Sequence, residues 1–371
     1  MSAAPTSGQD TLSVRFLAEG EQSAASVAAY LAAFIAEAER SLDIAIYDFR
    51  VSDPLKAVIV GALAERARAG VTIRITYDAG KPEQPDPLYG VDPAPHGTGA
   101  LVQSLGYPFR RIAALKLMHN KYIVRDAGLP SAAVWTGSSN FTDDSWTLAE
   151  NNILTLASPA LAAYYAQDFA GLWDTGDIAD TGAFDTDTVE LVYAGKPAMV
   201  QALFSPGRGP AIDYDVAQIV ASAQRRVRIC SMLLNSGALI AALGDVLHRG
   251  RAPVSGIYDG TQMQQVLPQW QDVPHNRWKI AAVEDIVRHA GLVGKPSTPY
   301  APDSRHDFMH DKALVVDDTV ITGSYNFSNS AEQNAENILI VDSPALADAY
   351  SAYVDHLIAK YRGVSVVLVD P

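Results

Sequence analysis

The 371-residue chain has a single cysteine, Cys230, so no internal disulfide is available to brace it. That residue lies in "RVRICSMLL" and reads as a small packed core side chain. Long apolar runs are also absent. No window offers the roughly 20 predominantly apolar residues that a membrane-spanning helix needs. The first ten residues, "MSAAPTSGQD", lack a basic segment followed by an apolar one, so no secretory signal is visible. The expectation is a cytoplasmic protein, or a secreted or periplasmic one if a leader was removed. Basic charge is scarce too: 28 Lys and Arg stand against 42 Asp and Glu, a net charge of −14. That balance argues against a broadly basic nucleic-acid surface, although it leaves room for a local basic cleft.

What is present is a globular composition, 48 % apolar, written in an alternating grammar. Residues 23–40 carry apolar positions at helical spacing, and 41–49 alternate as a strand does. Residues 53–70 open with Asp-Pro and end in Gly, as a helix does, and 71–78 alternate again. The second half repeats the order with a helix at 213–226, a strand at 227–234, a helix at 236–251 and a strand at 253–260. The pattern predicts an α/β fold made by duplication, with a period of roughly 185 residues. The seam falls in the Asp-, Gly- and Thr-rich stretch 174–198, giving domains 1–185 and 186–371. Segments 79–110 and 261–307 read as long functional loops.

The duplication extends to chemistry-bearing residues. The first copy reads "MHNKYIVRDAGLPSAAVWTGSSNFTDDSWTLAENNILTL" and the second "MHDKALVVDDTVITGSYNFSNSAEQNAENILIV". His119 matches His310, Lys121 matches Lys312, Asp126 matches Asp317, Ser138 matches Ser324 and Asn140 matches Asn326. Counting thirteen residues from Gly137 and from Gly323 pairs Glu150 with Glu336.

On a strand, residues two apart share a face, so each histidine lies beside its lysine. The Gly-Ser-x-Asn stretches end a return strand in a turn whose amides and hydroxyls suit phosphate oxygens. Each glutamate sits on a third strand, where it can accept a hydrogen bond from its histidine and fix the ring tautomer. Asp126 and Asp317 admit a structural reading, pinning the turn. Each half supplies half a site, and two halves related by a pseudo-two-fold bring both histidines to one phosphorus. His306 and His310 have the four-residue spacing of a helical zinc pair, but copy one has Leu115 where His306 stands. That reading is set aside.

These paired motifs resemble the HxK(x)4D…GSxN signature of the phospholipase D superfamily, and the likeness covers nearly the whole chain. The resemblance implies two similar α/β domains sharing one active site at their interface. It also implies a metal-independent reaction through a phosphohistidine, with no cofactor. The lead partner is a phospholipid or other phosphodiester, and the alternative is a nuclease acting on single-stranded nucleic acid. A monomer is expected, since one chain holds both half-sites. The resemblance makes His119 the nucleophile and His310 the general acid. Asp311, Asp307 and Asp303 would favour a charged His310 if they lie close to it in space.

Overall fold

A computed structural model describes residues 11–81, 95–179, 181–301 and 304–368. Two mixed sheets form its frame. The first runs Leu12–Leu17, Asn151–Ala157, Ala133–Gly137, Lys121–Arg125, Ser41–Ile46, Thr72–Asp78, Phe109–Ile112. The second runs Val189–Tyr193, Lys196–Ser205, Glu336–Asp342, Thr319–Gly323, Lys312–Val316, Val227–Ser231, Val254–Asp259, Val293–Lys295. In each, a parallel portion built by strand–helix–strand crossovers adjoins an antiparallel portion built by hairpins.

The sheets stack with helices inside and outside. Helices Ala24–Ala36 and Asp53–Arg68 bury Leu31, Ile35, Ile59 and Leu63 against the outer face of the first sheet. Helices Gly209–Ala221, Gly237–His248 and Arg277–Ala290 cover the second in the same way. Between the sheets lie Pro159–Thr175 and Pro344–Tyr361, each started by a serine cap and a proline in the first turn. Their Tyr165, Phe169, Leu172, Tyr350, Val354 and Leu357 join both sheets in one core. The duplicated α/β architecture expected from the sequence is therefore present.

Local boundaries differ from the reading above in three places. The helix placed at 213–226 spans Gly209–Ala221, because Pro210 suits a first turn better than an interior. The seam at 174–198 includes the strand Val189–Tyr193, turned back by Ala194 and Gly195 at positive φ. Segment 261–307 is largely helical, with Gly260–Asp272 and Arg277–Ala290, and 79–110 holds the short helix Thr98–Ser104. Cys230 is fully buried, as expected. Among the described residues no helix is long and apolar enough to cross a membrane.

Candidate active site

Each histidine stands just before a buried central strand, and its lysine opens that strand. The approach is set by a carboxylate that sequence reasoning missed. Asp78, ending one parallel strand, accepts the Met118 N–H at 2.7 Å; Asp259, in the same place in the other half, accepts the Met309 N–H at 3.0 Å. The repeated "TYDAG" and "IYDG" were the available signal. The two halves then cross-link through the backbone. His119 N–H donates to the Ala335 carbonyl at 2.8 Å, and His310 N–H donates to the Glu150 carbonyl at 3.2 Å.

The return strands end at Gly137 and Gly323 because nothing larger fits. Gly137 has φ 135°, and a Cβ there would lie 2.4 Å from the Asn152 carbonyl oxygen. At Gly323 it would lie 2.3 Å from that of Asn337. Ser138 and Ser324 follow, and their hydroxyls accept the N–H groups of Asn152 (2.9 Å) and Asn337 (3.0 Å). The asparagines Asn140 and Asn326 then reach the same cleft as His119 and His310.

That cleft has a volume of about 340 Å³ and takes its walls from both halves. Tyr47, Met232, Tyr300 and Phe308 make an apolar wall; Asp48, Arg50, His96 and His306 add polar groups. These come from separate segments, so no spacing in the sequence announces them. Lys121 and Lys312 lie behind the histidines, fully buried, each ammonium bonded to the carbonyl of its own histidine. Burial lowers both amines, Lys312 to about 7. A phosphate anion in the cleft opposes that shift, because it favours the charged form.

Glu336 does hold a histidine, but in the other half: its Oε2 is 2.7 Å from His119 Nδ1. Burial raises Glu336 to about 8 and lowers His119 well below the usual imidazole range, so both partners are driven toward neutrality. Glu150 does not play the matching part. Its carboxylate lies 3.3 Å from buried Lys295 and accepts the Tyr361 hydroxyl, away from both histidines. His310 Nδ1 instead meets Asn151 Oδ1 at 2.9 Å. The register explains this. Gly137 pairs with Ile153 and Gly323 with Ile338, so Asn151, not Glu150, is the counterpart of Glu336.

Asp126 and Asp317 lie outside the cleft lining. Both sit at positive φ, and each accepts three backbone N–H groups, at 39–41 and 224–226 respectively. They pin the entry to the strands Ser41–Ile46 and Val227–Ser231. The carboxylates expected to charge His310 are also engaged elsewhere. Asp311 accepts Asn152 Nδ2 at 2.7 Å and the Lys312 N–H at 2.8 Å. Asp307 accepts the Thr298 N–H at 2.6 Å, and Asp303 lies outside the described residues. Burial first, then Lys312, Lys121, His119 and His306, lower His310. His306 is not on a helix, and among the described residues no cluster suited to a metal ion is found.

The repeated architecture has a match among protein families. A model described as "Cardiolipin synthase, PLD-like domain" matches residues 31–173 and again 216–358. The chain belongs to this phospholipase D-like family. Its two matched segments start 185 residues apart, the period of the duplication. A mitochondrial cardiolipin hydrolase of Xenopus laevis is 34 % identical over 141 residues, 38 % of this chain and 57 % of the relative. A phospholipase D of Rickettsia bellii (strain RML369-C) is 26 % identical over 153 residues, 41 % of this chain and 65 % of the relative. The matches thus span less than two thirds of either relative. In fold, the chain is similar to phosphatidylserine synthase of Haemophilus influenzae Rd KW20, with TM-score 0.64, 14 % identity, and coverage of 94 % and 86 %.

Proposed function

We propose that the protein is a phosphodiesterase of the phospholipase D type that acts on a phospholipid head group by hydrolysis or transfer. The observation that carries this reading is the convergence of His119 and His310, from opposite halves, on one cleft backed by two buried lysines. The names of the relatives support the lipid class, and the apolar wall of Tyr47, Met232, Tyr300 and Phe308 suits a compact head group more than a polymer.

His119 Nε2 attacks phosphorus, and the bond from phosphorus to the leaving oxygen breaks. His310 gives its Nε2 proton to that oxygen. Water or an alcohol then gives a proton to His310, attacks phosphorus and frees His119. Asn140 and Asn326 hold the non-bridging oxygens, and the buried lysines behind the histidines supply positive charge that stabilises them without a metal ion. The test is incubation in EDTA with phosphatidylcholine, phosphatidylglycerol, single-stranded DNA and bis-p-nitrophenyl phosphate, followed by acid quench and peptide mapping. Lipid cleavage with a phosphorylated His119 is expected. DNA cleavage without lipid cleavage would transfer the reading to a nuclease, and loss of activity in EDTA would overturn the mechanism.

A further inference from the structure

The two half-sites match in backbone and differ in the group behind the histidine, an ionisable carboxyl on one side and an amide on the other. After the carbonyl that accepts the histidine N–H, the next residue is Glu336 on one side and Asn151 on the other. Each side chain bonds the Nδ1 of the histidine from the opposite half, at 2.7 Å and 2.9 Å. The surroundings fit the difference. Glu336 Oε1 receives the Asn334 amide at 3.2 Å, a donor aimed at a carboxylate. Asn151 instead sends its Nδ2 to the Ser145 carbonyl at 3.1 Å, an acceptor that a carboxylate would oppose. Ser138 Oγ donates to Asn151 Oδ1 at 2.8 Å, so the amide's orientation is fixed from both ends. The ring must then donate from Nδ1, which leaves the His310 Nε2 facing the cleft.

We infer that Asn151 is a positioning residue for His310, and that its neutral amide makes His310 the more easily deprotonated histidine, fitted to shuttle protons while His119 holds the phosphoryl group. This rests on the phosphodiesterase reading above. A phosphorylated ring that keeps its Nδ1 proton is cationic for the life of the intermediate, and that cation draws Glu336, which burial alone holds near neutrality, into the ionised form that offsets it. A shuttle must both release and regain a proton in one turnover, which a permanent counter-charge would hinder.

Among the described residues no charge near His310 replaces the missing carboxylate. Lys312 from its own strand, Lys121 and His119 from the other half, and His306 from the preceding loop all disfavour its cation. Asp311, the adjacent carboxylate, accepts Asn152 Nδ2 at 2.7 Å, an amide group that also donates to Thr322 Oγ1 at 2.6 Å. Glu150 is engaged by Lys295 and Tyr361.

The test is an NMR pH titration of the full chain with labelled histidine, beside pH–rate profiles on bis-p-nitrophenyl phosphate. His310 should titrate at lower pH than His119. Asn151→Asp should raise the His310 midpoint by about one unit or more, a tenfold change in proton affinity, and move the basic limb of the rate profile upward. Glu336→Gln, a second route if Asn151→Asp folds poorly, should bring the His119 midpoint down toward that of His310. Asn151→Ala should lower kcat about 10–100-fold with KM little changed. An unmoved His310 midpoint in folded Asn151→Asp, an unmoved His119 midpoint in Glu336→Gln, or a wild-type rate in Asn151→Ala would overturn the inference. An inactive wild type with the expected midpoints would overturn the phosphodiesterase reading instead.

Discussion

His119 Nδ1 and Glu336 Oε2 meet at 2.7 Å across the interface of the two halves, although 217 residues separate them in the chain. Neither half builds this pair alone, and the same holds for His310 and Asn151. His119→Ala and His310→Ala should therefore each lower kcat by about 10³-fold or more, with little loss of fold, and the double variant should be no worse than either. Steady-state rates on one phosphodiester, with circular dichroism as the folding control, check this. Near-normal turnover by either single variant would contradict a shared site.

Glu150 and Glu336 should separate by readout. Glu150 faces Lys295, which is wholly buried and has Glu19 as its other counter-charge at 3.2 Å. Glu150→Gln leaves that ammonium half-compensated. It should cost stability, on the order of 1–4 kcal/mol, because an unpaired buried charge is expensive. Glu336→Gln should instead lower kcat. Chemical denaturation and kinetics on both variants compare them. A catalytic loss in Glu150→Gln with unchanged stability would argue for the register taken from the sequence.

The motifs were legible because their spacing is local. A histidine and lysine two apart share a strand face whatever surrounds them, and the Gly-Ser turn recurs with them. Glu150 misled because "AENN" and "AENI" offer two frames one residue apart, and a one-residue slip on a strand changes the face. The identical "SPALA" at 158–162 and 343–347 fixes the frame, since its 185-residue offset pairs Asn151 with Glu336. Its polar and proline content makes segment 261–307 read as loop. It folds because one stripe, with Met263, Trp270, Val283, Ile286 and Val287, is buried on the second sheet's outer layer. Tyr47, Arg50 and His306 reach the cleft by tertiary packing, which no local pattern encodes.

Asp126 and Asp317 should behave as structural residues. Each holds three backbone N–H groups from a left-handed position. Asp126→Ala should lose about 2–4 kcal/mol of stability, through the orphaned donors and a residue with no reason to adopt positive φ. Activity per folded molecule should stay near wild type. Urea denaturation alongside active-site titration measures both, and a variant that is fully stable yet inactive would return Asp126 to the chemistry.

Asp168 gives the fold a pH dependence of its own. It sits between the sheets on the helix Pro159–Thr175, with Oδ2 accepting the Tyr122 hydroxyl at 2.8 Å and the Asn120 amide at 3.4 Å. Its Oδ1 has no hydrogen-bond partner, and burial pushes the carboxyl from 3.8 up to about 7. The folded pKa lies above the unfolded one, so between about pH 4 and 7 the folded chain binds the extra proton. Its stability is thus fullest below that window and falls as pH rises through it, by up to about 4 kcal/mol. Above about pH 7 the loss levels off. Asp168→Asn keeps an acceptor for Tyr122 and removes the titration. The variant should match or trail the wild type near pH 4 and gain on it steadily toward pH 7. Denaturation curves for both proteins across that range test the sign directly. A difference that stays flat, or that grows in the wild type's favour, would mean that Asp168 is charged in the folded protein despite its burial.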